Sequence, residues 1–214
     1  MNERVYQLLR ENYALKERDV GEFAHIRAKG MRFEVRVFDA ADAGSLCLMT
    51  MKAFFGLMKM ESAVFSPVFR DAPIYSCDGI SAFGNDSMLM ELYDTTLTHP
   101  AFEELQAVKD RYAALPDYDS GSHWYDDIRL PVSALKKGKK LQKELAKMAE
   151  EYSAEYFRLF AQCDPCSPEE KKARNGEYAQ GLLNNGGPAV DQFKKILGEE
   201  KTAEFLKTVM FCCA

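Results

Sequence analysis

Polar and apolar residues alternate from Met31 to Phe38, with Met31, Phe33, Val35 and Val37 on one side and Arg32, Glu34 and Arg36 on the other. A period of two predicts a half-buried strand of an antiparallel sheet. Four more strand-like runs follow: Ser45 to Phe55, Leu57 to Phe65, Tyr75 to Phe83 and Ser87 to Tyr93. Gly56 and the Gly84-Asn85-Asp86 triplet supply hairpin corners. Five consecutive strands with short links make a meander. Ahead of them, Val5, Leu8, Leu9 and Leu15 recur at roughly helical spacing and predict a helix from Glu3 to Lys16.

After Thr98 the period lengthens. Pro100 to Ala114 reads as a helix with Phe102, Leu105, Val108 and Tyr112 on one face. A polar loop runs from Leu115 to Trp124, and Ile128 to Val132 is a short edge strand. Leu135 to Phe160 reads as one long helix, because Leu141, Leu145, Met148, Tyr152, Tyr156 and Phe160 step by three or four. Pro168 opens another helix, at a position where its missing N–H costs nothing. The run from Asn184 to Pro188 stops that helix, and two more follow, Val190 to Leu197 and Lys201 to Met210, divided by Gly198. Strands first and helices later is an α+β order. A meander with helices on both faces gives a three-layer α/β/α sandwich. No repeat or low-complexity tract divides the 214 residues, which read as a single domain over 1–214.

Composition narrows the function classes. A net charge of −5 removes the basic footprint of a general nucleic-acid binder. No apolar run reaches the length of a membrane span, so no membrane partner is expected. The first residues are charged and amphipathic, without the apolar core of a secretion signal, which points to the cytoplasm and to thiols rather than bridges for the six Cys. An aromatic share of 12% suits both a core and a pocket for a flat ligand.

The strongest chemical candidate is Asp78. It stands in a run with Ile74 and Tyr75 before it and Ile80 and Phe83 after it, where a carboxylate is costly to bury. One reading is an acid whose pKa is raised by burial. The other is an Asp at a Cys77-Asp78-Gly79 turn, accepting backbone hydrogen bonds. Cys163 and Cys166 form a CxxC, and with Cys212 and Cys213 they offer four thiolates, but one CxxC and one CC pair is not the usual tetrahedral pattern. His25, His99 and His123 show no metal-ligand spacing, and His123 adjoins Trp124 in a loop placed to cover a pocket. Met49, Met51, Met58, Met60, Met88 and Met90 lie on the expected sheet, most of them as core. No phosphate-binding glycine motif occurs.

The order of motifs resembles the ferredoxin-dependent bilin reductase family, as a divergent member. Three places carry the likeness: the block ESAVFSP, DAPIYSCDGISAFG and MLMELYD between Glu61 and Asp94; Trp124 followed by DIRLPVSALKKG; and the ending NNGGPAVDQFKKILGEEKTAEFLKTVMF. The resemblance implies a linear tetrapyrrole held between the sheet and the C-terminal helices. Electrons would come singly from an external ferredoxin or flavodoxin, with no flavin, nicotinamide or metal. It implies that Asp78 is the proton donor. The family's His on the preceding strand falls on Ser62, its accompanying Glu falls near Met51, and its second acidic site falls in Asn185-Gly186-Gly187-Pro188. Ser62 and His123 are then substrate-binding candidates. Lys136, Lys137, Lys139, Lys140 and Lys143 offer a positive patch for ferredoxin, or simply the solvated start of a helix. A second function class is a non-catalytic ligand-binding or interaction module that keeps the fold and has lost the acids.

Overall fold

The computed structural model describes residues 1–213. The expected meander is present as β3 (Met31–Ala40), β4 (Gly44–Ala53), β5 (Met58–Pro67), β6 (Ile74–Ala82) and β7 (Asn85–Tyr93), each antiparallel to the next. Three further strands extend it. β1 (Leu15–Arg18) and β2 (His25–Ala28) both pair with β3 at one edge, and β8 (Ala134–Lys139) pairs with β7 at the other. Asp78 therefore lies inside a central strand, not in a turn.

Helices cover both faces. α1 (Asn2–Arg10), α2 (Glu104–Arg111) and α3 (Gln142–Phe160) enclose one core with Leu46, Leu48, Phe65, Tyr75, Met90 and Leu92 from the sheet. In that core the Tyr75 and Tyr156 rings stack at 4.5 Å, and their hydroxyls are tied to Ser153 Oγ and the Pro73 carbonyl, each at 2.8 Å. On the other face α4 (Pro168–Asn185), α5 (Pro188–Leu197) and α6 (Glu199–Glu204), with the π-helical turn Phe205–Met210, pack on Val35, Val37, Met49, Met51 and Val64. Each large apolar side chain so buried stabilises the fold by about 1.5–3 kcal/mol. This is the α/β/α sandwich expected from the sequence. Of the methionines, Met49, Met51, Met88 and Met90 are core, while Met58 and Met60 stay half-exposed.

Several elements differ from the sequence reading. The first helix ends at Arg10, because the next residues turn and Leu15 pairs with Ala40 at the sheet edge. The helix expected from Pro100 to Ala114 is confined to Glu104–Arg111. Ile128 to Val132 is irregular; only Arg129 bridges to Tyr93. The long helix expected from Leu135 starts at Gln142, since residues 134–139 form β8. The alternation there decides the outcome: Ala134 and Lys136 are buried, while Leu135 and Lys137 lie on the opposite side. Lys136 is thus no surface cation. Its Nζ donates to the Leu115 carbonyl at 2.9 Å and pairs with Asp117 Oδ1 at 2.7 Å, so the docking patch loses that residue.

Candidate functional site

Strand register builds the site. Met49, Ser62, Asp78, Leu89 and Leu135 stand side by side on β4 to β8, on the face toward α4 and α5. Two residues along each strand, Cys47, Val64, Ser76 and Glu91 form the next row. Met51, near which the resemblance places its acidic position, lies one row the other way along the strands, in register with Met60 and Ile80. The Asn185–Pro188 run is the link from α4 to α5, with Gly186 and Gly187 at φ of 78° and 158°.

Asp78 is half-exposed, with Ser62 and Ser76 buried beside it. Ser76 Oγ donates to Asp78 Oδ2 at 2.8 Å. Withdrawal from water pushes the Asp78 carboxyl up to about 6. The Ser62 and Ser76 hydroxyls oppose that rise, and the Glu91 charge adds to it. The group can hold or release a proton near neutral pH. Met58, Met60, Ile80, Ala82 and Leu89, on the same face, are all only half-buried. Asp78 thus sits on an apolar surface left partly open.

Beside it lies a second charged group that sequence reasoning passed over. Glu91 is 6% exposed, and Arg129 bonds it at 3.0 Å and Asp126 at 2.8 Å. Burial lowers the Arg129 pKa, and the hydrogen bond and charge of Glu91, with Asp126, more than reverse it. Glu91 carried the same signal as Asp78, a carboxylate in an apolar strand. Arg129 carried none, because its place depends on how residues 123–133 cross the sheet edge.

That crossing segment walls the site with aromatic rings. Tyr93 stacks on Tyr178 at 4.6 Å, and Tyr125 meets Tyr93 edge-on at 5.6 Å. Burial and the Glu91 charge push Tyr125 up to about 12. His123 stacks on Tyr125 at 4.8 Å, and its Nε2 lies 3.0 Å from the Ser120 carbonyl. It makes no hydrogen bond to Asp78 or Ser62, so the structure joins Ser62 to Asp78 and holds His123 one ring away. Trp124 Nε1 donates to the Gly186 carbonyl at 3.0 Å.

Trp124 lies on α4 at Gly181, where an added Cβ would stand 2.3 Å from the indole. Alanine normally favours a helix over glycine by about 1 kcal/mol. Here the clash reverses the sign, and Gly181→Ala is expected to cost about 1–3 kcal/mol. Trp124 is the only tryptophan, so a red shift in emission together with a lower urea midpoint checks this directly. Unchanged emission with higher stability refutes it.

The four thiols named above are not gathered. Cys163 Sγ contacts the Leu159 carbonyl, while Cys212 Sγ lies 3.0 Å from Ser45 Oγ and 2.9 Å from Arg18 Nη1. Among the described residues no group of three His, Cys, Asp or Glu side chains is placed to hold a metal ion, and no helix is long and apolar enough to cross a membrane. A cleft of about 830 Å³ lies elsewhere, among Leu15, Arg18, Asp39, Val68, Phe69 and Lys172. It contains none of the Asp78 cluster.

No protein-family model matches the sequence, and no curated protein matches it. Among solved structures the fold is similar to that of phytochromobilin synthase from tomato, determined in complex with biliverdin. The TM-score is 0.77 at 11% identity, over 99% of this chain and 82% of that one. At that identity the likeness establishes the fold, and the roles of the residues rest on this chain's own geometry.

Proposed function

We propose that this chain binds a linear tetrapyrrole on the half-open face around Asp78 and reduces it with electrons from an external ferredoxin or flavodoxin. The observation that carries the reading is the Asp78 carboxyl, pushed up to about 6 beside two buried serines. The shared fold of a protein solved with biliverdin supports it. As electrons arrive singly, Asp78 gives its proton to the pigment, and the Ser62 and Ser76 hydroxyls stabilise the carboxylate left behind. Partial exposure lets solvent return the proton. Ser62 and Asp78 also offer hydrogen bonds to pyrrole nitrogens or a lactam oxygen. His123 acts through Tyr125, whose ring it holds by stacking. Arg129 is already neutralised by two carboxylates. Lys137, exposed on β8 beside this face, is the better cation for a propionate.

One observation favours the second reading, a binding module without turnover. Ser62 and a residue near Met51 stand where the resemblance expects a His and an acid, and the α4–α5 link is Gly186-Gly187. The experiment that decides is a titration with biliverdin, read by pigment absorption and by quenching of Trp124, before and after a reduced ferredoxin system is added. A shifted spectrum with turnover is the expected result. A shifted spectrum without turnover establishes the module, and no change in either signal sinks tetrapyrrole binding for that pigment.

A further inference from the structure

At the end of the sheet beyond Asp78, two neighbouring hairpins expose large apolar side chains at their tips. Phe54, Phe55 and Leu57 cap β4–β5, Phe83 caps β6–β7, and their exposures are 57%, 110%, 63% and 65%. The Phe54 and Phe83 rings meet at 5.8 Å, and the Phe83 amide donates to the Leu57 carbonyl at 3.2 Å, so the two tips form one apex. Phe54, Phe55 and Phe83 also sit at φ of 49°, 55° and 51°. Bulky residues there cost backbone energy that glycine or asparagine would avoid. The apex is therefore unfavourable twice over, in hydration and in conformation.

The surroundings of the apex are cationic. Arg27, Arg32, Lys52 and Lys59 stand directly opposite one another across β2, β3, β4 and β5, while Lys139, which ends β8 in register with Asn85, is followed by Lys140. All six are exposed, and none has a carboxylate within ion-pair distance. Like charges in register repel, and this chain carries net −5 overall. The carboxylates closest in register are Glu34, Glu61 and Asp86. Glu34 stands one step along the same face, Glu61 pairs with the N-terminal amine, and Asp86 is engaged by Ser81 Oγ and the Leu141 amide.

We propose that this apex is a peripheral contact for an anionic lipid surface. Protruding aromatic rings enter the headgroup boundary, and the flanking lysines and arginines meet the lipid charge. The Phe55 ring, at 110% exposure, projects fully into solvent. A second copy meeting through the same face would set cation against cation. A contact of this kind needs no spanning segment, so it is compatible with the helices described above.

The test is flotation of the full chain with phosphatidylcholine–phosphatidylserine vesicles and with phosphatidylcholine alone. Binding is expected only to the anionic vesicles, and it should weaken as salt screens the charges. Asparagine tolerates these backbone angles, so Phe55→Asn with Phe83→Asn should keep or raise thermal stability while cutting vesicle affinity about tenfold or more. Lys52→Gln with Lys59→Gln should cut it about tenfold or more. The proposal is overturned if anionic vesicles do not bind, or if binding survives loss of both rings. It is also overturned if the apex residues instead mediate capture of an acidic protein such as ferredoxin, or of an oligonucleotide, with vesicles ignored.

Discussion

Asp78→Asn is expected to lower ferredoxin-driven reduction of biliverdin by about 10²-fold or more, the usual contribution of a positioned acid, while leaving pigment affinity within a few-fold. Asn keeps the shape and can still accept from Ser62 and Ser76, so binding and chemistry separate. The same change should stabilise the protein at neutral pH. The Asp78 carboxyl is raised from 3.8 to about 6, so the native state holds its proton more tightly than the unfolded chain does. Stability then falls as pH rises from about 4 to about 6, and the full penalty stands above that window. Allowing for partial exposure, the gain from Asn is about 1–2 kcal/mol near pH 7–8. That is about 2–8 °C in the melting midpoint for a chain of this size. Below about pH 4 the advantage should vanish, because Asp78 is then neutral in both states. Melts across pH 4 to 8 check it. A variant less stable than the parent at pH 7 would mean that the carboxylate serves the fold, and turnover unaffected by the change would remove Asp78 from the chemistry.

The parts of this site that lie within regular alternation were legible from the sequence. β3 to β7 were read within a few residues, because Val35, Met49 and Val64 face one core and Phe38, Leu48 and Phe65 the other. Asp78 announced itself as a carboxylate among apolar neighbours, and the resemblance pointed to Ser62 on the adjoining strand. Glu91 offered the same signal and was passed over. β8 was misread as helix because Leu135, Lys136 and Lys137 favour helix locally, while edge pairing to β7 and the burial of Lys136 override that preference. The Arg129 bridge and the aromatic wall could not be read. They depend on an irregular segment whose path is fixed by contacts such as Trp124 against Gly181. The hairpin-tip phenylalanines read as ordinary strand ends; only the three-dimensional end of the sheet shows that nothing covers them.

Asp71→Ala should be strongly destabilising, costing about 3–5 kcal/mol at pH 7. Asp71 lies in the link from β5 to β6 and is 3% exposed. It accepts from the Leu97 amide at 2.7 Å, the Thr98 amide at 2.8 Å and the Thr98 hydroxyl at 2.6 Å. Lys171 of α4, with no exposure, places its ammonium 4.0 Å away and donates to the Thr95 carbonyl. One carboxylate thus ties the start of β6, the segment after β7 and the helix that carries Tyr178. Although burial opposes it, these hydrogen bonds hold the Asp71 carboxyl below the usual range, so its contribution is present above about pH 4 and lost as pH falls further. Burial lowers Lys171 to about 8 against Asp71's opposing charge. Since the unfolded chain keeps that proton to about 10.5, stability rises with pH between those values. Removing Asp71 leaves Lys171 buried without its counter-charge, which extends the rise to lower pH. Urea unfolding of Asp71→Ala should therefore recover part of the deficit between pH 7 and pH 10, and adding Lys171→Met should recover part of it at pH 7. A deficit constant across pH and untouched by Lys171→Met would mean that lost backbone hydrogen bonds alone, not the unpaired ammonium, set the cost.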